Sequence, residues 1–241
     1  MSGHSKWATT KRRKEAVDSK RGAIFTRVGH VITIAARKGG DPESNFNLRM
    51  AIDKAKGVNM PKDNIERAIK RGSGELGGEQ IEELIYEGFG PAGSQFIIKS
   101  LTDNKNRSAG NIRHLFTKYG GSLGSVMWSF ELRGIIRVTN EEAKAKNLDW
   151  DGLELELIDV GAQDIVREEE GVSVITKPED LQRVKKFFED KSVDTATSEV
   201  EYAAKEQITV SPGDKERVEK FIDELEGNED VSEYYHNISN V

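Results

Sequence analysis

Apolar positions recur at intervals of three and four in the first third of the chain. Ile24, Phe25, Val28, Val31, Ile32 and Ala35 share one side of a helix that ends at Gly39-Gly40. Asp41-Pro42 then opens a turn into a second helix, with Leu48, Ala51, Ile52 and Ala55 on one face and Gly57 at its end. Pro61 suits the first turn of a third helix, with Ile65, Ala68 and Ile69 inward and Gly72 as its stop. Residues 22–72 therefore predict a small helical bundle. Gly72-Ser73-Gly74 and Gly77-Gly78 read as a hinge after it.

Beyond the hinge the pattern alternates between short apolar runs and helical periods. Ile85-Tyr86, Gln95 to Leu101, Leu123 to Phe130 and Gly134 to Val138 predict strands. Asp103 to Arg107 predicts a polar loop, and Ala109 to Tyr119 a helix with Ile112, Leu115 and Phe116 inward. Glu141 to Val160 reads as largely helical, Asp164 to Arg167 with Val172 to Thr176 as a hairpin, and Pro178 to Asp190 as a helix. Ala196 to Ala203, Gln207 to Val210 and Val231 to Ile238 predict strands, with a helix over Pro212 to Leu225. The last two strands and their helix are too few to bury a core alone, so they are expected to complete an earlier sheet. The fold class is α+β: an N-terminal helical bundle followed by two α/β sandwich domains, the third inserted into the second. The expected boundaries are 1–76, 77–131 plus 206–241, and 132–205.

Charge changes this picture. The net charge of −6 conceals a split: residues 1–74 carry 17 Lys and Arg against 7 Asp and Glu, and residues 140–241 carry 12 against 28. A basic end joined to an acidic one is the footprint of nucleic-acid binding coupled to a solubilising or partner-binding end. The densest part precedes the first helix. Lys6, Lys11, Arg12, Arg13, Lys14, Lys20 and Arg21 form a basic arm with Trp7 among them. Such cations neutralise phosphates and release counterions, and the indole can stack on an unpaired base. Arg27, Arg49 and Lys56 are expected to extend that surface over the bundle. Arg37, Lys38, Lys54, Lys62, Arg67, Lys70 and Arg71 divide evenly between contact and solvated face. Helix spacing over 43–72 admits a helix-turn-helix, but many bundles share it.

The chain has no cysteine, which removes disulfides, thiolate catalysis and Cys-based zinc sites and fits a reducing compartment. No apolar run approaches the ~20 residues that span a bilayer, and the N-terminus has no apolar core of a secretory signal. A cytoplasmic protein is expected. Four histidines, His4, His30, His114 and His236, have no metal-ligand spacing. Glu168-Glu169-Glu170 reads as a solvated turn. Gly88-Phe89-Gly90-Pro91-Ala92-Gly93 lacks the ending of a phosphate loop and reads as a tight turn between strands. In Thr102-Asp103-Asn104-Lys105-Asn106-Arg107-Ser108, Lys105 and Arg107 are candidates for an anion at the following helix N-terminus. The structural alternative is a turn capped by Asn106 or Ser108.

Gly3-His4-Ser5-Lys6-Trp7, Lys11-Arg12, the run Asn59 to Ile69, Tyr86-Glu87-Gly88-Phe89-Gly90-Pro91 and Thr102 to Arg107 resemble the YebC family across essentially the whole chain. The resemblance implies a three-domain fold, no catalytic residues and a regulator of gene expression labelled as binding DNA. It also implies, through a mitochondrial relative described as a translational activator of a cytochrome oxidase subunit, a role at the ribosome. The expected function is a nucleic-acid-binding regulator, with DNA or ribosomal RNA as target and the α/β domains free for the ribosome or another protein. No cofactor, membrane or small-molecule substrate is expected. A nucleic-acid-processing enzyme would need carboxylates near the basic surface, and they crowd the opposite end. An interaction protein gripping an acidic partner is the third class.

Overall fold

Three helices, α1 (Arg21–Ala36), α2 (Phe46–Gly57) and α3 (Lys62–Gly72), form the expected bundle in a computed structural model that describes residues 21–77 and 80–241. Ile32, Leu48, Ala55 and Met60 are buried together with Ile65 and Ala68, each large aliphatic side chain contributing about 1.5–3 kcal/mol by leaving water. Asn45 caps α2, accepting from the Leu48 N–H at 3.1 Å, and its amide donates to the Ala35 and Gly39 carbonyls at 2.8 and 2.7 Å. One side chain thus closes the end of α1 and the start of α2.

The first sheet has the strand order β3-β1-β2-β8, with β1 (Glu82–Phe89), β2 (Gln95–Thr102), β3 (Ser122–Leu123) and β8 (Val231–His236). β1 and β2 run antiparallel, with Glu82 opposite Thr102 and Phe89 opposite Gln95. Their glycine-rich connection is a tight turn, its Gly90 N–H donating to the Ser94 carbonyl at 2.7 Å. Helices α4 (Lys105–Lys118) and α8 (Pro212–Gly227) meet the sheet through Phe96, Phe116 and Phe221, whose rings sit edge to face at 4.9–6.4 Å. Gly88 is required there, since a Cβ would stand 2.6 Å from the Phe116 ring.

The second sheet has the order β5-β6-β4-β7, all antiparallel neighbours, with β4 (Phe130–Thr139), β5 (Ala162–Arg167), β6 (Gly171–Thr176) and β7 (Thr197–Ala204). Ile136, Val138, Val172 and Val174 pack against Leu157 of α6 (Trp150–Asp159) and Leu181, Val184 and Phe188 of α7 (Leu181–Asp190). A short α5 (Asn140–Ala145) precedes α6. The described residues group into two compact units, one holding the bundle and most of the first sheet, the other the second sheet and the last residues of the chain.

Four expected elements differ. Leu123 to Phe130 is not a strand: only Ser122–Leu123 pairs, with β1, before the Glu87 carboxylate accepts from the Val126 N–H at 2.7 Å and takes it out of any ladder. Phe130 instead begins β4. Gln207 to Val210 makes one parallel bridge, Ile208 to Ile238, because Ser211 and Pro212 already start α8. The helix over Glu141 to Val160 breaks into α5 and α6, with Asn147 left-handed at φ 49°. The loop from Asp103 to Arg107 is mostly helix. Its cap is Asn104, which accepts from the Arg107 N–H at 3.0 Å, not Asn106 or Ser108.

Candidate nucleic-acid interface

The bundle's cations derive their positions from two helix contacts. α1 and α3 cross closely at Gly72, where a Cβ would lie 2.3 Å from the Thr33 carbonyl, and Thr33 Oγ1 donates to the Ala68 carbonyl at 3.2 Å. That contact leaves an open groove of about 280 Å³ between the two helices. Phe25, Gly29 and His30 of α1 line one wall, and Asn64, Arg67 and Arg71 of α3 the other. Among the described residues, no carboxylate lines it.

Arg67 and Arg71 sit one turn apart, so their Cα atoms lie about 6 Å apart along the helix. Both are exposed, and no ion pair holds either among the described residues. Asp63 stands one turn before Arg67, yet the two form no salt bridge, while Glu66 pairs with Lys62 at 3.5 Å. Arg71 lies in the last turn, where the helix dipole favours a cation; Arg67 has no such reason. His30 is buried and held by its ring, with Nδ1 2.8 Å from the Leu101 carbonyl. That oxygen can only accept, so Nδ1 carries the proton and Nε2 is the ring's remaining polar atom.

The expected contact residues separate into five groups. Lys6, Trp7, Lys11, Arg12, Arg13, Lys14 and Lys20 lie outside the described residues. Arg21 opens α1. Arg27, expected on the surface, is instead 7% exposed and donates to the Val231 carbonyl, so it joins the bundle to the sheet and offers no face to a ligand. Arg49 and Lys56 are exposed on α2: Arg49 lies 5.6 Å from the Phe46 ring centroid, and Lys56 pairs with Asp53 at 3.4 Å.

Lys105 and Arg107 form a separate cluster, and both face carboxylates. Lys105 lies 3.9 Å from Glu82. Arg107 reaches Asp103 and the buried Asp230, each at 2.9 Å. The hydrogen bond to Asp230 above all raises the Arg107 pKa from its ordinary value, so it is a fixed positive charge. The pair anchors the first turn of α4 to the start of β8. Charge counting could not separate Lys105 and Arg107 from Arg67 and Arg71. Spacing does not separate them either, since Asp103 and Asp63 stand four residues before Arg107 and Arg67 alike and only Asp103 pairs.

Among the described residues, no group of three or more His, Asp or Glu comes together as a metal site, and no helix is long and apolar enough to cross a membrane. His236 Nδ1 accepts from the Ile238 N–H at 3.2 Å, a structural role, and His114 is exposed on α4.

Comparison with known proteins matches the chain over nearly its whole length. A model of the TACO1/YebC protein N-terminal domain matches residues 5–75, and one of the TACO1/YebC second and third domain matches residues 81–238. A protein of Thermoanaerobacter pseudethanolicus named a probable transcriptional regulatory protein is 50% identical, with 99% of this chain and 97% of that protein aligned. One of the same name from Thermotoga maritima is 46% identical over 98% and 93%. The crystal structure of a conserved hypothetical protein from Aquifex aeolicus superposes with a TM-score of 0.78 at 38% identity, covering 92% of each chain.

Proposed function

The chain belongs to the TACO1/YebC family, and from that premise we propose that it is a cytoplasmic regulatory protein that binds nucleic acid through the cationic face of its helical bundle. The observation that carries this reading is the pair Arg67 and Arg71, exposed beside a concave groove without a counter-charge. By contrast, Lys99, Lys105, Arg107 and Lys118 of the neighbouring sheet and helix each have a carboxylate partner. The basic arm of residues 6–21 adds charge to the same end of the chain. Guanidinium groups left unpaired grip phosphate strongly because the fork binds two oxygens at once.

The names of the relatives support control of transcription, with duplex DNA as target. A second reading, a ribosome-bound translation factor, is favoured by the groove itself: it is concave, whereas a duplex reader presents a convex helix to the major groove. In both readings phosphate contacts supply the affinity and no catalytic step is required of the protein. The acidic stretch 132–205 repels nucleic acid and faces a protein partner or solvent, and we keep 1–76, 77–131 with 206–241, and 132–205 as the three functional divisions.

The test is binding to labelled duplex DNA and RNA as a function of salt. Affinity is expected to fall linearly with salt on logarithmic axes. Replacing Lys11, Arg12, Arg13 and Lys14 by Glu should weaken binding and flatten the slope by up to about four phosphate contacts. A slope unchanged by the four substitutions would show that the arm does not touch phosphate, and no binding at all would overturn the reading.

A further inference from the structure

We propose that the groove between α1 and α3 is a seat for one unpaired nucleotide, its phosphodiester gripped by Arg67 and Arg71. This rests on the nucleic-acid reading above and narrows it to a strand with an accessible, unstacked unit. Four observations converge. The two guanidinium groups line one wall of a groove of about 280 Å³, slightly below the range typical of small-molecule pockets and too small for a duplex. Their Cα atoms lie about 6 Å apart along α3, so two long side chains on one helix face can reach one phosphodiester. Like charges at this spacing repel and destabilise a helix, and Asp63, one turn away, does not neutralise Arg67. An anion supplied from outside removes that repulsion.

The rest of the lining suits the other parts of a nucleotide. Phe25 contributes an aromatic ring to the groove's wall, and bases stack on such rings whatever their identity. The Asn64 amide has no hydrogen-bond partner among the described residues and offers both a donor and an acceptor. His30, fixed through Nδ1 by the Leu101 carbonyl, has Nε2 left over. Gly29 and Thr33 keep the floor narrow, and Thr33 spends its hydroxyl on the Gly29 and Ala68 carbonyls. Cationic, aromatic and amide groups on facing walls, with no carboxylate between them, match phosphate, base and sugar.

The experiment compares three probes of one sequence, a 12-mer of single-stranded RNA, the same single-stranded DNA and its duplex, by fluorescence anisotropy with the full chain. R67Q, R71Q and the double variant are measured beside R217Q, an exposed arginine on α8 that pairs with Asp214. The double variant should lose about tenfold or more in single-strand affinity, with the salt slope reduced by roughly 0.7 for each lost contact, while R217Q keeps wild-type values. Duplex binding should change much less. Equal loss on the single strand and the duplex, or no loss on the single strand, would overturn the seat while leaving nucleic-acid binding intact. Wild-type protein that binds none of the probes would overturn both. RNA favoured over DNA of the same sequence, with the preference reduced in N64A, would make Asn64 a reader of the ribose. Equal affinity with the arginine effect intact supports a seat for either sugar.

A second measurement does not depend on any variant folding. The wild-type chain is crosslinked by ultraviolet light to 4-thiouridine-labelled single-stranded RNA and the adducts are mapped by mass spectrometry. Adducts on Phe25, Thr26 or His30 support the seat. Adducts confined to residues outside the groove contradict it.

Discussion

Gly72 lacks a side chain because none fits between α1 and α3: a Cβ would stand 2.3 Å from the Thr33 carbonyl and 2.7 Å from the Ala36 Cβ. Gly72→Ala must push the helices apart, and we expect a loss of about 1–3 kcal/mol, read as a lower urea midpoint at unchanged slope. An unchanged midpoint would mean that the crossing relaxes freely. Because the crossing shapes the groove, the same variant should weaken single-strand binding. In the second sheet, Arg137 and Glu201 form a buried bidentate pair at 2.6 and 3.1 Å, with Arg137 the largest fully buried side chain. E201Q should cost about 3–5 kcal/mol, the penalty for leaving one buried charge unpartnered, and a loss below about 1 kcal/mol would show that water reaches the guanidinium. Neither residue was legible as buried: Arg137 lies between Ile136 and Val138 and Glu201 between Val200 and Tyr202, and strand alternation places a charge between apolar residues on the solvent face. Arg27 was not legible either: nothing in the sequence of α1 marks that this arginine turns inward to the Val231 carbonyl.

At the scale of elements, periodicity located all three bundle helices and the strands of the second sheet, because long apolar repeats leave few alternatives. It failed where a single side chain redirected the chain. Glu87 takes the Val126 N–H and ends the pairing of Leu123 to Phe130. Asn104 rather than Asn106 starts α4, and Pro212 leaves Ile208 only one bridge. The Glu87 bond forms across the fold and has no local signature, whereas the Asn104 cap is local and Asn106 offered the same chemistry two residues on. The joint between α4 and α8 makes a testable case. The Glu224 carboxylate accepts from Lys118 Nζ at 2.5 Å and from the Tyr119 hydroxyl at 2.7 Å, and these bonds, that of Lys118 first, hold its pKa below the ordinary carboxylate value. The stability this bond contributes is therefore present at neutral pH and lost as pH falls through that lowered value. The urea midpoint of wild type should exceed that of E224Q at pH 7, and the gap should close as pH falls below the ordinary carboxylate range. A gap that stayed constant with pH would show that the difference arises from packing, not charge.

At the scale of the molecule, the charge asymmetry is legible in the sequence, but it does not say which cations are already paired within the fold. Counting cations cannot distinguish Arg107, locked to Asp103 and Asp230, from Arg67 and Arg71, which face an open groove. Only the fold resolves them: Asp103 and Asp63 stand four residues before Arg107 and Arg67 alike, yet only Asp103 pairs, and Asp230 is distant in sequence. The central claim, that this chain binds nucleic acid through its basic end, is tested most directly by ultraviolet crosslinking in living cells followed by sequencing of the copurified nucleic acid. We expect discrete recovered sites, either genomic regions or one region of ribosomal RNA, with recovery lost when Lys11, Arg12, Arg13 and Lys14 become Glu. Crosslinking no stronger than background, or unaffected by those substitutions, would contradict the account.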